Sequence, residues 1–432
     1  MSHPSGWYLR RRPVYLEGNE VRLLRGGDAL FPALIDAIER ARFEVWLATY
    51  IFHTDAASQA VAQALTRAAE RGVRVRVVVD GFGSIGSVAA LREAGLAPPV
   101  ALAVYRPLDR WWAWLQPEHL RRLHQKLCVV DGEVAFVGGI NIIDDRLDIH
   151  HGALSAPRLD FAVAVRGPVV APIEHTARAM WTRAAFGADW RDEIAALLRQ
   201  RHGLLRAREL MRTMRLTSRP AVQPLPMQRH KDDRTEPSEA GDVAAAFLLR
   251  DNLRQRHSIL AALLQACAGA QREIDIVCPY FYPGRSLRRA LTAAARRGVQ
   301  VRLLLQGRPD YRIAALAASV LYRELLQAGV RVFEYMPSFL HAKVVRVDAQ
   351  WATVGSSNLD PLSLLVNFEA NVAVRDGAFV QDVAHELDAA FAQSHEITAP
   401  PQGSRWSGML RRRLIALLAR LYLRLAGERA PY

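Results

Sequence analysis

Short apolar runs alternate with stretches of helical period, and the alternation occurs twice along the chain. "VWLATYIF" (Val45–Phe52) and "IDIVCPYFY" (Ile274–Tyr282) are both strand-like runs that end in aromatics. "LTRAAERGVRVRVVVDG" (Leu65–Gly81) and "LTAAARRGVQVRLLLQG" (Leu291–Gly307) form a second matching pair. In each, an Ala-rich helical stretch stops at a glycine, Gly72 or Gly298, and a Val/Leu-rich strand follows. Strands alternating with helices predict two α/β halves, each with a largely buried sheet.

A third pair is more specific. "HQKLCVVDGEVAFVGGIN" (His124–Asn141) and "HAKVVRVDAQWATVGSSN" (His341–Asn358) align without gaps and share His, Lys, Val, Asp, Ala, Val, Gly and Asn. In the first copy, apolar runs flank Asp131–Gly132, a favoured hairpin turn. Residues i and i+2 of a strand share a face, so His124 projects with Lys126, and His341 with Lys343. The returning strand brings Asn141, or Ser356 and Asn358, toward the same face. Asp131 and Asp348 belong to the same signature as the four catalytic candidates. Their odd parity and turn position read more as structural anchoring than as chemistry.

The pattern lapses between the halves. "LTSRPAVQPLPMQRHKDDRTEPSEAGD" (Leu216–Asp242) is rich in Pro and charge and has no period, as a linker or mobile loop does. The predicted organisation is a first domain over 1–205, a basic helix and linker over 206–242, a second domain over 243–400 and a C-terminal helix over 401–432. That last segment sets leucines on one helical face and Arg411, Arg412 and Arg413 among its charges. It suits an anionic bilayer surface, and equally a dock on the protein's own core. Its longest apolar run falls far short of the roughly 20 residues that span a bilayer. The basic N-terminus lacks an apolar run behind it, so no secretory signal is expected.

Composition narrows the partner. The 57 Lys+Arg against 43 Asp+Glu leave a net charge of +14, which favours an anionic partner: nucleic acid, an acidic membrane or a phosphorylated substrate. Cys128, Cys267 and Cys278 form no C-x-x-C and point to a reducing compartment.

Two His with two Lys make a poor cation site, because an ammonium repels a metal and no ligand spacing such as H-E-x-x-H is present. They make a good anion hole, with Lys126, Lys343, Asn141, Asn358 and Ser356 around a phosphodiester; no metal and no cofactor are expected. One neutral imidazole would attack phosphorus and the other would protonate the departing alcohol. Asp160 in "RLDFAVAV" and Glu369 in "NFEANVAV" precede similar strands, so each is expected to orient the histidine of its own half.

With these motifs in hand, the sequence resembles the phospholipase D superfamily, whose signature is close to H-x-K-x4-D-x6-G-[SG]-x-x-N. Within it, "GGIN" (Gly138–Asn141), "LLRDNLRQRHSI" (Leu248–Ile259), "PYFYPGRSLRRAL" and "ATVGSSNLDPLSLLVNFEANV" (Ala352–Val372) most resemble bacterial cardiolipin synthases of the B type. The resemblance implies two duplicated α/β domains with mixed sheets flanked by helices, related by a pseudo-twofold axis, with one shared active site. It implies transfer of a phosphatidyl group between two phosphatidylglycerol molecules, so that phosphatidylglycerol in an anionic membrane is both donor and acceptor. By position His124 matches the usual nucleophile and His341 the general acid, and the near-symmetry leaves the exchange open. A hydrolytic phospholipase D or a transphosphatidylase of other phospholipids is the first rival activity, and a metal-independent endonuclease or phosphodiesterase the second. Nucleic acid is not the expected partner, since aromatics do not interleave with the basic residues, and no obligate protein partner is visible. The expected location is the cytoplasmic side of a bacterial cell membrane, bound peripherally. Trp111, Trp112 and Trp114, just before His124, fit either a lipid interface or the core.

Overall fold

The computed structural model describes residues 6–9, 12–93, 96, 98–107, 121–149, 151–186, 243–308 and 312–399. The boundary near 205, the linker 206–242, the tail 401–432 with Arg411, Arg412 and Arg413, and the cluster Trp111, Trp112 and Trp114 lie outside the described residues.

The first half contributes β1 (Leu16–Arg25), β2 (Glu44–Thr49), β3 (Arg74–Asp80), β4 (Ala101–Tyr105), β5 (Lys126–Val130) and β6 (Val134–Gly138). The small hairpin β7 (Leu147–Asp148) and β8 (Gly152–Ala153) follows, and then β9 (Phe161–Arg166). The second half contributes β10 (Val243–Arg250), β11 (Glu273–Val277), β12 (Gln300–Gln306), β13 (Arg331–Tyr335), β14 (Val344–Val347), β15 (Trp351–Gly355), β16 (Glu369–Arg375) and β17 (Ser394–Ile397). Apart from β7 and β8 they form one sheet, ordered β17-β13-β12-β11-β14-β15-β16-β10-β1-β9-β6-β5-β2-β3-β4.

That order is a palindrome. Outward from the β1–β10 pair, β9, β6, β5, β2, β3, β4 answer β16, β15, β14, β11, β12, β13, which is the duplication seen in sequence. β2, β3 and β4 run parallel, as do β11, β12 and β13, whereas both motif hairpins are antiparallel. The sheet is therefore mixed.

Local chemistry sets the elements. The helix Ala56–Glu70 opens on Asp55, whose carboxylate accepts the Ser58 N–H at 3.0 Å, and it stops before Gly72 at φ +91°. The second copy stops before Gly298 at φ +92°. A side chain at either left-handed position would strain the backbone, so glycine ends the helix and aims the chain into the next strand. β2, β5 and β6 are buried along their whole length, because helices cover both faces.

On one face, each half builds its own core beneath its own helices. Val45, Leu65 and Val77 belong to the first, and Leu263, Leu291 and Val301 to the second. On the other face a single core runs through both halves. It joins Ile173 and Met180 of the helix Val170–Phe186, Val163 and Val372 of β9 and β16, and Val383 and Leu387 of the helix Gly377–Ala392. The halves are thus welded through shared apolar burial, the dominant favourable term in such packing. Asn19, buried at the junction, adds polar pins: its Nδ2 donates to the Leu16 and Val243 carbonyls and its Oδ1 accepts the Val169 N–H.

Candidate active site

β2, β3, β6 and β10 end, and β5, β9 and β16 begin, at one end of the sheet, and the motif histidines stand there just ahead of β5 and β14. The main chain crosses between halves at this point. The Leu123–Phe368 and Leu159–Leu340 bridges join each histidine strand to the acid strand of the opposite half. His124 N–H donates to Phe368 O at 3.0 Å, and His341 N–H donates to Leu159 O at 2.8 Å.

This crossing overturns the expected acid partners. His124 Nδ1 lies 3.0 Å from both carboxylate oxygens of Glu369, and His341 Nδ1 lies 2.6 Å from Asp160. Each imidazole is therefore oriented from the other half, not its own. Register explains why both acids fit. Gly138 pairs with Ala162 and Gly355 with Asn371, so Asp160 and Glu369 occupy equivalent places two residues earlier on their chains.

The equivalence stops at the side chains. The Ser356 hydroxyl donates to Glu369 and accepts the Ala370 N–H, so it braces the acid instead of facing phosphate as expected. The first half has Gly139 there, and a Cβ on Gly139 would stand 2.3 Å from Asp160 Oδ1. Aspartate, one methylene shorter, sits directly over that glycine. Asn141 Oδ1 accepts the Ile51 N–H at 3.2 Å, and Asn358 Oδ1 lies 3.9 Å from the Cys278 thiol. A phosphate role for either asparagine thus falls to its amide nitrogen.

Asp131 and Asp348, grouped with the catalytic candidates by motif, stand at the far end of the hairpins. The Asp131 carboxylate accepts the N–H groups of Arg42, Phe43 and Glu44, and Asp348 accepts those of Gln271, Arg272 and Glu273. Both residues adopt φ +52°. They anchor the entry to β2 and β11 and take no place in the site, as their parity indicated.

Lys126 Nζ donates to His124 O at 2.7 Å, and Lys343 Nζ donates to His341 O. Both ammoniums are almost fully buried. Burial and the charge of Lys343 bring Lys126 down to about 7, and burial also lowers Lys343. His124 is lowered by burial against the opposing pull of Glu369. His341 falls well below the ordinary histidine range through burial and the charges of Lys343, Lys126 and Arg158. The two acids diverge. Burial lifts Asp160 to about 7, while for Glu369 the burial effect is outweighed by His124, Lys126 and the Ser356 hydroxyl, which hold it below its usual value. Both imidazoles are thus neutral near pH 7, Glu369 is firmly anionic and the buried lysines supply positive charge, a setting built to receive an anion.

Several contributors escaped the sequence reading. Asp80, at the end of β3, accepts the Leu123 N–H at 2.8 Å, and Gln306, its equivalent on β12, accepts the Leu340 N–H at 2.7 Å. Each thereby fixes the peptide just before a motif histidine. Asp80 also accepts from Phe82 and Gly83, lies 3.8 Å from Arg122, and is raised by burial to about 6. The paired strings "VVVDG" and "LLLQG" carry this signal, masked by the exchange of acid for amide. The Tyr50 ring packs edge-on against His124 at 5.0 Å between centroids and sits 5.2 Å from Lys126 Nζ. Among the described residues no three His, Cys, Asp or Glu side chains gather as metal ligands would.

Comparison with known proteins finds the same duplication. The family model described as cardiolipin synthase, PLD-like domain matches residues 34–155 and 263–393, one motif copy in each segment. Cardiolipin synthase B of Salmonella typhi is 36% identical over 385 residues, covering 86% of this chain and 80% of that protein. Cardiolipin synthase A of Pseudomonas putida (strain GB-1) is 34% identical over 391 residues, covering 90% and 72%. The crystal structure of phosphatidylserine synthase from Haemophilus influenzae Rd KW20 covers 96% of each chain with a TM-score of 0.62 at 14% identity, a likeness of fold. Duplicated motifs, palindromic sheet and relatives at this level of identity lead to one conclusion: the chain belongs to the phospholipase D-like family of cardiolipin synthases.

Proposed function

We propose that the protein transfers a phosphatidyl group from one phosphatidylglycerol to a second, giving cardiolipin and glycerol through a phosphohistidine. The observation that carries this reading is the crossed pairing of His124 with Glu369 and His341 with Asp160 around two buried lysines. His124, with Nδ1–H donated to an anionic Glu369, keeps the Nε2 lone pair for attack on phosphorus. The positive charge that forms on the ring as the N–P bond closes faces a carboxylate held ionised by Ser356 and Lys126.

As the P–O bond to glycerol breaks, His341 Nε2–H gives its proton to the leaving oxygen. His341 by itself is neutral; the phosphodiester's negative charge raises it, so the substrate brings the charge that draws this proton in. The neutral His341 then takes the proton from the primary hydroxyl of a second phosphatidylglycerol. That oxygen attacks phosphorus, the N–P bond breaks, and cardiolipin leaves. Lys126 and Lys343 offset the charge on the equatorial oxygens throughout. The same centre would hydrolyse the intermediate if water reached it first. The protein works at the cytoplasmic face of the membrane, bound peripherally.

Purified protein with phosphatidylglycerol vesicles in EDTA should yield cardiolipin and glycerol in equal amounts. Phosphatidic acid without cardiolipin would replace the transferase by a hydrolase. Cleavage of single-stranded DNA in place of lipid turnover would replace both by a nuclease.

A further inference from the structure

Seven large apolar side chains among the described residues are exposed: Phe43, Phe82, Ile85, Ile149, Leu253, Met336 and Leu362. Six of them leave from the carboxyl ends of strands. Phe82 and Ile85 lie in the turn after β3, Ile149 at the tip of the β7–β8 hairpin that follows β6, and Leu253 just after β10. Met336 directly follows β13, and Leu362 is in the short helix Pro361–Leu365 after β15.

This is the catalytic end of the sheet. Asp80, the last residue of β3, holds the peptide before His124, and Arg250, the last of β10, pairs in register with Glu369. Tyr335, the last of β13, pairs with Gln306, which holds the peptide before His341. The seventh side chain, Phe43, precedes β2 at the opposite end, beside the Asp131 anchor.

Each half gives three of the six, so the apolar tips stand on both sides of the pseudo-twofold axis. Exposed arginines accompany them. Arg146 lies three residues before Ile149, Arg254 and Arg256 follow Leu253, and Arg308 follows Gly307, which packs against Met336. Scattered exposed apolar residues are ordinary on a protein surface; six of seven on one functional end, interleaved with arginine, are a patch that calls for a partner.

We infer that this end of the sheet is a two-sided bilayer-docking surface, in which Phe82, Ile85 and Ile149 of one half and Leu253, Met336 and Leu362 of the other enter the interface of an anionic phospholipid membrane. The inference rests on the lipid-substrate reading and adds which surface faces the bilayer. Apolar tips take up acyl-chain contact while the neighbouring arginines meet anionic headgroups. Contact from both halves sets the shared axis along the membrane normal, so that donor and acceptor headgroups reach the histidines from one leaflet. Charge, apolar tips and the active-site mouth coincide on this end, which fits a bilayer better than a protein partner.

The test reads vesicle contact, not turnover. The native cysteines are all buried, so Ile85→Cys, Leu253→Cys and Phe43→Cys proteins can each be labelled at one site with an environment-sensitive fluorophore. With phosphatidylglycerol vesicles, the labels at 85 and 253 should shift to shorter wavelength and be quenched by nitroxide lipids, while the label at 43 stays in water. Ile85→Asp with Leu253→Asp should weaken vesicle binding at least 10-fold and leave turnover of detergent-dispersed phosphatidylglycerol within about 2-fold. Labels at 85 and 253 that remain in water on bound vesicles would overturn the inference, as would an equal shift at 43. A shift that grows with protein concentration without lipid would mark a second copy of the chain as the occupant and would overturn it too.

Discussion

Lys126 carries the sharpest consequence at the scale of single residues. Burial and Lys343 bring it down to about 7, yet it must be cationic to hold an anion. kcat/KM, which reports the free enzyme, already declines with pH because His341 must take up a proton, and should therefore fall more steeply as pH rises through about 7. Its acid limb should lie below the ordinary histidine value of 6.5, because burial lowers His124 and keeps it nucleophilic there. A bound phosphodiester adds negative charge and raises Lys126, so the basic limb of kcat should stand at higher pH than that of kcat/KM. Asp80 is one of the carboxylates that support the Lys126 charge. Asp80→Asn should move the basic limb of kcat/KM to lower pH without unfolding the protein, since a neutral amide already serves at Gln306. Coincident basic limbs, or a limb unmoved in the variant, would contradict this electrostatic picture.

The motif hairpins show at the element scale how near-identical strands acquire different chemistry. Ser356 stiffens Glu369, whereas Gly139 makes room for Asp160. Gly139→Ser only copies the other repeat, and the family signature tolerates either residue. Its Cβ nonetheless meets a carboxylate oxygen at 2.3 Å. The expected result is a loss of about 1–3 kcal/mol from overpacking and, with Asp160 displaced from His341, at least ~100-fold slower turnover. Wild-type activity with unchanged melting would mean that Asp160 does not set the position of His341. Much of this level was legible in the chain. Strand parity put Lys126 beside His124 and put Asp131 at the turn, and the texture of "RLDFAVAV" against "NFEANVAV" found both acids. Their partners were not legible, because nearness in sequence favours one's own half while the Leu123–Phe368 and Leu159–Leu340 bridges cross over. Nor was the work of Ser356, since a hydroxyl in a phosphate site looks the same in sequence whether it faces substrate or braces an acid. The tryptophan cluster and the Arg/Leu tail fall outside the described residues.

For the molecule as a whole, the palindromic order about β1 and β10 makes one centre out of two incomplete ones. Each half supplies a histidine it cannot orient and an acid that serves its neighbour. The continuous core beneath β9 and β16 holds the exchange rigid. Sequence anticipated the duplication and the shared centre; the reciprocal exchange appears only once the halves are docked. Vanadate, which copies five-coordinate phosphorus, tests that centre most directly when its binding is titrated at equilibrium. One ion should bind per chain, and Lys126→Ala or Lys343→Ala alone should weaken it at least ~10-fold, as loss of a charge-assisted contact from either half does. Two ions per chain, or full affinity after loss of one lysine, would contradict a single phosphorus shared between the halves.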